Sequence, residues 1–230
     1  MKKIMLLLIL MIIPSYALAV TDEEIIQEQS IQSHINNTGS RILNANKIEQ
    51  RVAFVYDKTE KQSLLKIDPS LTDRQVILYS GDYKFIQNDD ELAAFLSRGI
   101  LYAMKSYRGF FNGYLSALQI KAAPKKFEIV ADKRAVDFMV NAGYDPIGLI
   151  TFIQKSCPQK RFDRFSNKNL TSKRLAVIYE YIYMKYPYFL QNNKYFENEH
   201  YQNFLLTSVN NRRMLLNKIK SGSKEELDYE

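Results

Sequence analysis

The sequence has few of the residues that build disulfide frameworks and metal clusters. It contains one cysteine, Cys157, two histidines, His34 and His200, and no tryptophan in 230 residues. A single cysteine excludes an internal disulfide or a multi-cysteine zinc site, and two isolated histidines exclude a histidine-rich metal cluster. We expect both histidines on the surface and Cys157 as a buried or incidental thiol, because no histidine lies near it in sequence.

Turn-forming residues are also scarce, and the overall composition is that of an ordinary globular protein. The chain has only 8 glycines and 6 prolines, which argues against a multi-stranded all-β domain with many tight turns. Hydrophobic residues make up 46% and charged residues 25%, so a disordered or fibrous chain is excluded. The composition predicts a small domain that is rich in helix.

The N-terminal residues are typical of an export signal. Lys2 and Lys3 precede an apolar run at residues 4–13, and a small-residue cleavage motif ends at Ala19. Ten apolar residues are too few for a helix that spans a bilayer. We therefore predict a signal peptide at residues 1–19, cleavage after Ala19 and a periplasmic location.

The charge balance leaves the type of partner open. The formal net charge is +7, and it falls to +5 when Lys2 and Lys3 are removed with the signal. Basic residues are densest at 155–174 and 212–224. Neither stretch has a nucleic-acid-binding motif, so we expect no nucleic-acid partner. Peripheral contact with an anionic membrane, or with an acidic protein, is compatible with this surplus.

The first third of the mature chain combines a helix with short strands. The spacing of isoleucines predicts a helix over 21–46, interrupted near Gly39 because glycine disfavours helix. Short apolar stretches at 51–57, 63–68 and 75–79 are separated by turn residues. They predict a small three-stranded sheet.

From Asn88 onward the apolar spacing is helical. Asn88 and Glu91 form a capping-box pattern at the start of the first of these helices. Further helices are predicted at about 126–142, 146–155, 171–185 and 199–220, followed by a flexible tail at 221–230. The sequence therefore predicts a single α+β domain at 20–220, in which the helix from Asp89 packs against the helix from Lys126.

Several motifs in the middle of the chain resemble those of a peptidase family. Residues 90–96 are Asp-Glu-Leu-Ala-Ala-Phe-Leu, 128–132 are Glu-Ile-Val-Ala-Asp, 142–146 are Ala-Gly-Tyr-Asp-Pro and 174–176 are Arg-Leu-Ala. Their order is similar to that of the HtpX-like zinc metallopeptidases, which include the CAAX-prenyl endopeptidases and the periplasmic BepA-type proteins. The resemblance covers about residues 25–186 and implies a mainly helical, zincin-like scaffold.

The resemblance also implies where a zinc site would lie, and there the sequence departs from the family. Counted from Glu91, the two zinc-binding histidines of the family fall on Arg98 and Tyr102, and the catalytic glutamate falls on Gly99. A guanidinium has no lone pair for a metal, and glycine has no side chain to accept a proton. Only Glu128, at the position of the third ligand, is retained, and one carboxylate does not hold zinc.

These departures predict a protein without peptidase activity. A later His-Pro of the family is also absent, with Lys168-Asn169 at about that place. We expect a catalytically inactive, metallopeptidase-like exported protein without cofactor, which binds another envelope protein in assembly or quality control. The alternative is an active zinc-dependent endopeptidase whose ligands lie at unrecognised positions, and the zinc content distinguishes the two.

A site that has lost its zinc should be repacked, because a buried carboxylate without a cation is costly. We predict that Arg98 forms a salt bridge with Glu128 or with Asp132, and that Tyr102 donates its hydroxyl to the same cluster. Removing Arg98 should then cost on the order of 3–5 kcal/mol. The competing possibility is that Arg98 points into solvent and that tyrosine and phenylalanine side chains fill the pocket. We also expect Gly99→Ala to be neutral or stabilising, since glycine within a helix costs roughly 0.5–1 kcal/mol.

Overall fold

The protein is mostly helical, with a small parallel sheet. The computed structural model describes residues 22–63, 74–106, 123–157 and 169–229. Its elements in chain order are α1 (Asp22–Ala45), β1 (Ala53–Asp57), β2 (Gln75–Tyr79), α2 (Ser80–Tyr83), α3 (Asp89–Ser106), α4 (Pro124–Asn141), α5 (Ile147–Ser156), α6 (Thr171–Lys185), α7 (Tyr188–Gln191), α8 (Glu199–Thr207) and α9 (Val209–Ser221). Within these ranges, no helix combines the length and apolar character needed to cross a membrane. The predicted signal peptide at 1–19 lies outside the described residues.

The sheet pairs two of the three predicted strands. β1 and β2 are parallel, with Ala53 opposite Gln75 and Asp57 opposite Tyr79. The other predicted strand, at 63–68, lies outside the described residues except for its first residue. The sheet that the structure describes therefore tests only the first and last of the predicted strands, and both are present.

Helix α1 is continuous through Gly39, where the sequence predicted an interruption. A Cβ atom on Gly39 would lie 2.5 Å from the ring of Phe54, so glycine lets α1 lie close against β1. The side chain of Gln32 on α1 also accepts a hydrogen bond from the Tyr56 N–H (2.7 Å) and donates to the Phe54 carbonyl (2.8 Å). The predicted interruption was wrong because close packing on β1 offsets the helical cost of glycine.

The core is centred on α3, which packs against α1, α4, α5 and β2. The predicted packing of α3 against α4 is therefore confirmed. Leu92, Phe95, Leu96 and Ile100 form its inward stripe, and each is at most 1% exposed. The ring of Phe95 meets that of Phe152 on α5 edge to face, with 6.0 Å between the centroids. Burial of this stripe explains why its helical spacing was visible in the sequence.

Gly99 is the residue of α3 that lies against β2. A Cβ atom there would lie 2.8 Å from Cγ2 and 3.2 Å from Cβ of Val76. Val76 is 2% exposed and has a stiff, β-branched side chain, so it cannot move aside without disturbing the core. This geometry contradicts the expectation that Gly99→Ala is neutral, because glycine here permits the close approach of a helix and a strand.

The predicted C-terminal helix at 199–220 is divided into α8 and α9 at Ser208. A helix end leaves carbonyl groups without partners, and the Leu205 carbonyl accepts a hydrogen bond from the Arg212 guanidinium (2.7 Å). In a continuous helix the Leu205 carbonyl would accept a hydrogen bond from the N–H four residues later, and here the guanidinium takes the place of that donor. Beyond α9, Tyr229 is 3% exposed and its hydroxyl donates to Glu180 of α6 (3.0 Å).

Candidate functional site

A buried ion cluster joins α3, α4 and α6, and we call it the central cluster (Arg98, Glu128, Asp132 and Arg174). Asp132 lies in its middle and is 0% exposed. Arg174 donates to both of its oxygens, from Nε to Oδ2 and from Nη2 to Oδ1, each at 2.9 Å. Nε of Arg98 lies 2.8 Å from Oδ1 of the same carboxylate. One aspartate therefore holds two guanidinium groups.

Helical geometry brings these side chains together. Glu128 and Asp132 are four residues apart on α4, and Arg98 and Tyr102 are four residues apart on α3, so each pair shares one face of its helix. Because α3 and α4 pack along each other, the two faces meet. The third helix of the cluster is α6, which begins at Thr171. Its residue Arg174 is 3% exposed and completes the cluster.

Glu128 lies at the edge of the central cluster and is 8% exposed. Its Oε1 lies 3.4 Å from Nη1 of Arg174. Its Oε2 accepts hydrogen bonds from the backbone N–H and from the side-chain amide of Asn169, both at 3.0 Å. The retained carboxylate thus connects Asn169, two residues before α6, to α4.

The prediction for Arg98 is confirmed with Asp132 as its partner. Arg98 is 0% exposed, so the competing possibility of a solvent-facing side chain was wrong. The role of Arg174 was not predicted from the sequence, although this arginine belongs to the Arg-Leu-Ala motif at 174–176. Its position in the first turn of a helix gives no indication that it points toward α4, because that depends on how α6 packs.

Tyr102 lies beside the cluster on α3. Its ring meets that of Phe127 on α4 edge to face, with centroids 5.1 Å apart. Burial raises the pKa of the Tyr102 hydroxyl, although the charge of Arg98 lowers it in part. The tyrosine therefore stays a neutral phenol at physiological pH. That its hydroxyl donates to the carboxylates stays a prediction.

The charges of the central cluster balance. Burial alone would lower the pKa of Arg174, but the charge and hydrogen bonds of Asp132, together with the charge of Glu128, raise it. Two arginines face two carboxylates, so both arginines stay charged. The arrangement favours a fixed structural role over proton transfer. In the part of the chain that the structure describes, no three histidine, cysteine or acidic side chains are grouped to hold a metal ion.

The cysteine lies beside the central cluster, and the two histidines lie at the surface. Cys157 is buried, as expected, and its sulfur lies 3.8 Å from Nη1 of Arg174. The side chain of His34 is 42% exposed and 3.0 Å from Asp89, and that of His200 is 26% exposed and 3.1 Å from Glu199. Both histidines thus lie at the surface beside acidic residues.

A second group of polar side chains, which we call the corner cluster (Asp90, Asp145, Lys194 and Tyr195), holds the start of α3. Asp90 accepts hydrogen bonds from the Asp145 N–H (2.9 Å) and the Tyr195 hydroxyl (2.6 Å), and it lies 2.5 Å from Nζ of Lys194. Asp145 in turn accepts from the N–H of Ile147 (2.9 Å). Burial, together with the charge of Asp90, raises the pKa of Asp145 to about 6.

Glu91 has a comparable structural role. The Glu91 N–H donates to the side chain of Asn88 (3.1 Å), as a capping box requires, but the Glu91 carboxylate accepts from the N–H of Gln87 (2.7 Å) instead of Asn88. The carboxylate also accepts from the Thr151 hydroxyl (2.7 Å) and from Lys155 (2.6 Å) on α5. The acidic residues that open the 90–96 motif therefore connect α3 to its neighbours.

We compared the chain with known proteins and found no relative. Family models, curated proteins and solved structures give no significant match to the chain. The resemblance to the HtpX-like peptidases therefore rests on the sequence motifs.

Proposed function

We propose that the protein is a catalytically inactive relative of the HtpX-like zinc metallopeptidases, exported to the periplasm, and that it binds another envelope protein without cleaving it. One observation carries the proposal. At the position that the resemblance assigns to the first zinc ligand, the guanidinium of Arg98 lies 2.8 Å from Asp132. The residue that the resemblance assigns to the first zinc ligand is therefore itself a cation, and it pairs with a carboxylate of the protein.

The donor groups at the family's site positions do not suit zinc. Zinc binds imidazole, thiolate and carboxylate groups, whereas Arg98 offers no lone pair and the neutral Tyr102 phenol is a poor ligand. The backbone at Gly99 packs against Val76, as described above, which leaves no room for a catalytic carboxylate. Glu128 has the right chemistry, but its Oε2 accepts two hydrogen bonds from Asn169. We therefore assign no metal-dependent step to these residues.

A binding role is supported by exposed apolar side chains from the end of α6 to the residues before α8. Met184, Tyr188 and Phe196 are each 63–66% exposed and lie within one stretch of chain. Tyrosine, phenylalanine and methionine are enriched in protein–protein interfaces. We therefore propose that the aromatic segment (residues 184–196) is part of the surface that contacts the partner protein.

Zinc content tests the loss of catalysis. Elemental analysis of the purified protein should find far less than one zinc per chain, and casein should not be cleaved when zinc is added. Glu128→Gln is the control, because it removes the one retained ligand and should change neither result. Near-stoichiometric zinc that disappears in Glu128→Gln would overturn the proposal in favour of an active metallopeptidase.

Site-specific photo-crosslinking tests the binding role. A photoreactive amino acid at position 188 or 196 should give a defined cross-linked product in the periplasm of the native host. The control position is 130 on α4, because Val130 is also exposed (45%) but lies outside the aromatic segment. If positions 188 and 196 give no product that position 130 lacks, the aromatic segment is not the binding surface. Cell fractionation checks the periplasmic location in the same samples.

A further inference from the structure

Helix α9 presents an exposed face that mixes apolar and basic side chains. Residues 209, 213, 216 and 220 follow the spacing of one helical face. Val209 and Leu216 on this face are 52% and 47% exposed, and Arg213 and Lys220 between them are also exposed. We call these four residues the outer face of α9.

The opposite side of α9 is fixed to the body of the protein. Leu215 and Asn211 are 2% and 5% exposed, and Nζ of Lys218 lies 2.9 Å from Glu180 of α6. Arg212 is held at the α8–α9 junction by its bond to the Leu205 carbonyl. The orientation of α9 is therefore set by these contacts, and its outer face is directed away from the core.

The charge of α9 has one sign. The helix contains Arg212, Arg213, Lys218 and Lys220 and no acidic residue. The Arg213 guanidinium donates to the neutral side chain of Asn210 (3.1 Å), so its charge is not neutralised there. The next acidic residues of the chain, at 225 and 226, come after the left-handed Gly222 that ends the helix (φ 66°).

We propose that the outer face of α9 docks on an anionic lipid surface. Arg213 and Lys220 would lie at the level of the lipid phosphates, since long basic side chains place their charge in water while their stems lie along apolar material. Val209 and Leu216 would enter the boundary between headgroups and acyl chains. Each basic residue near such a surface strengthens binding about fivefold, so the contact is weak and reversible.

Two features favour lipid over an acidic protein or a nucleic acid. Affinity for a nucleic-acid backbone comes mainly from basic groups, whereas binding to a lipid surface uses basic groups together with buried apolar side chains. The outer face is the side of a single helix and offers no groove for a folded acidic partner. The contact does not depend on the proposed protein partner, because it uses α9 and not the aromatic segment.

A tryptophan reporter tests the docking directly. The sequence has no tryptophan, so Leu216→Trp introduces a single one on the outer face of the full-length chain. Its emission should shift to the blue when vesicles of equal phosphatidylglycerol and phosphatidylcholine are added, and not with phosphatidylcholine alone. Val130→Trp, exposed on α4, is the matched control and should not shift. A Leu216→Trp emission that never shifts, or equal shifts at both positions, overturns the proposal.

Charge reversal tests the electrostatic part by sedimentation with the same vesicles. The double variant Arg213→Glu/Lys220→Glu should lower the partition coefficient at least about 25-fold, from two basic contacts. Lys58→Glu/Lys126→Glu changes the net charge equally at exposed positions elsewhere and should change it less than about threefold. The parent protein and both variants have the same residues 1–19, so a difference between the variants comes from the substituted positions. Equal losses in both variants, or stronger binding to polyglutamate than to vesicles, would overturn the proposal.

Discussion

The central cluster and the corner cluster bury the same type of residue but neutralise it differently. In the central cluster two carboxylates face two buried arginines. In the corner cluster one lysine, whose side chain is 59% exposed, pairs with Asp90, and its charge lowers the pKa of Asp145 only in part. Burial raises the pKa of Asp145 in the corner to about 6, whereas the carboxylates of the central cluster raise the pKa of Arg174. Burial and a neighbouring carboxylate therefore raise the pKa of Asp145 in the corner cluster, whereas the two carboxylates of the central cluster keep the charge on Arg174.

The largest expected effect is the loss of Arg174. Arg174→Met removes both hydrogen bonds to Asp132 and the cation beside Glu128, which leaves buried negative charge uncompensated. Breaking a buried ion pair from one side costs about 3–5 kcal/mol of unfolding free energy. Urea denaturation followed by circular dichroism measures it.

Two controls make this prediction specific to the central cluster. Lys173→Met, next in sequence, breaks the pair with Asp228, whose side chain is 93% exposed, and should cost at most about 1 kcal/mol. Arg98→Met should cost less than Arg174→Met, because Asp132 keeps its two bonds to Arg174. The sequence alone assigned the full cost to Arg98. Equal costs for Arg174→Met and Lys173→Met would show that the cluster does not stabilise the fold.

The next effect concerns the packing that brings the central cluster together. Gly99→Ala inserts a methyl group against Val76, and overpacking of a core typically costs about 1–3 kcal/mol. The gain in helix propensity, roughly 0.5–1 kcal/mol, does not cancel that cost. Thermal denaturation of Gly99→Ala should therefore show a lower midpoint than the parent protein.

A double-mutant cycle separates overpacking from other causes. In a Val76→Ala background the space beside position 99 is larger, so Gly99→Ala should cost less there than in the parent protein. An unchanged cost in the Val76→Ala background would mean that the close approach of α3 and β2 is not the reason.

The sequence predicted the parts of the fold that follow local rules. The apolar spacing of residues 92–103 indicated α3, and the strands at 51–57 and 75–79 were visible from their composition. The predictions for Gly39 and Gly99 were wrong. The effect of glycine on stability there depends on Phe54 and Val76, which lie outside the helices that contain the glycines. Local propensity carries no information about such contacts.

The central cluster shows the same division. The sequence predicted that Arg98 pairs with Glu128 or Asp132, which share one face of a helix, and the structure shows Asp132 as the partner. Arg174 and Asn169 were missed because their contacts depend on how α6 packs against α4. Contacts that follow from helix spacing could therefore be predicted from the sequence, whereas contacts that depend on tertiary packing could not.

The corner cluster predicts a pH dependence of stability. The pKa of Asp145 rises from 3.8 to about 6 on folding, so the folded state binds the proton more tightly. Asp145 therefore favours folding most at low pH, and this contribution is lost as pH rises from about 4 to about 6. Asp145→Asn keeps an acceptor for the Ile147 N–H but does not titrate. Relative to the parent protein it should be more stable at pH 7, and the difference should shrink by pH 4.

The smallest effect has the opposite sign and comes from Asp137 on α4. Burial alone would raise its pKa, but hydrogen bonds from Lys185 (2.7 Å), Tyr186 (2.8 Å) and Tyr181 (2.9 Å) lower it. Its ionised form therefore stabilises the fold above its ordinary pKa of 3.8, and that contribution is lost as pH falls below about 4.

Asp137→Asn should consequently be less stable than the parent protein at pH 7, and the difference should shrink as pH falls from 5 to 3. Lys185 is 47% exposed, so solvent screening limits the difference to at most about 1 kcal/mol. Urea titrations of both asparagine variants at pH 7, 5 and 3 measure the two slopes together. If Asp137→Asn and Asp145→Asn change stability in the same direction with pH, cation pairing does not decide how these buried aspartates titrate.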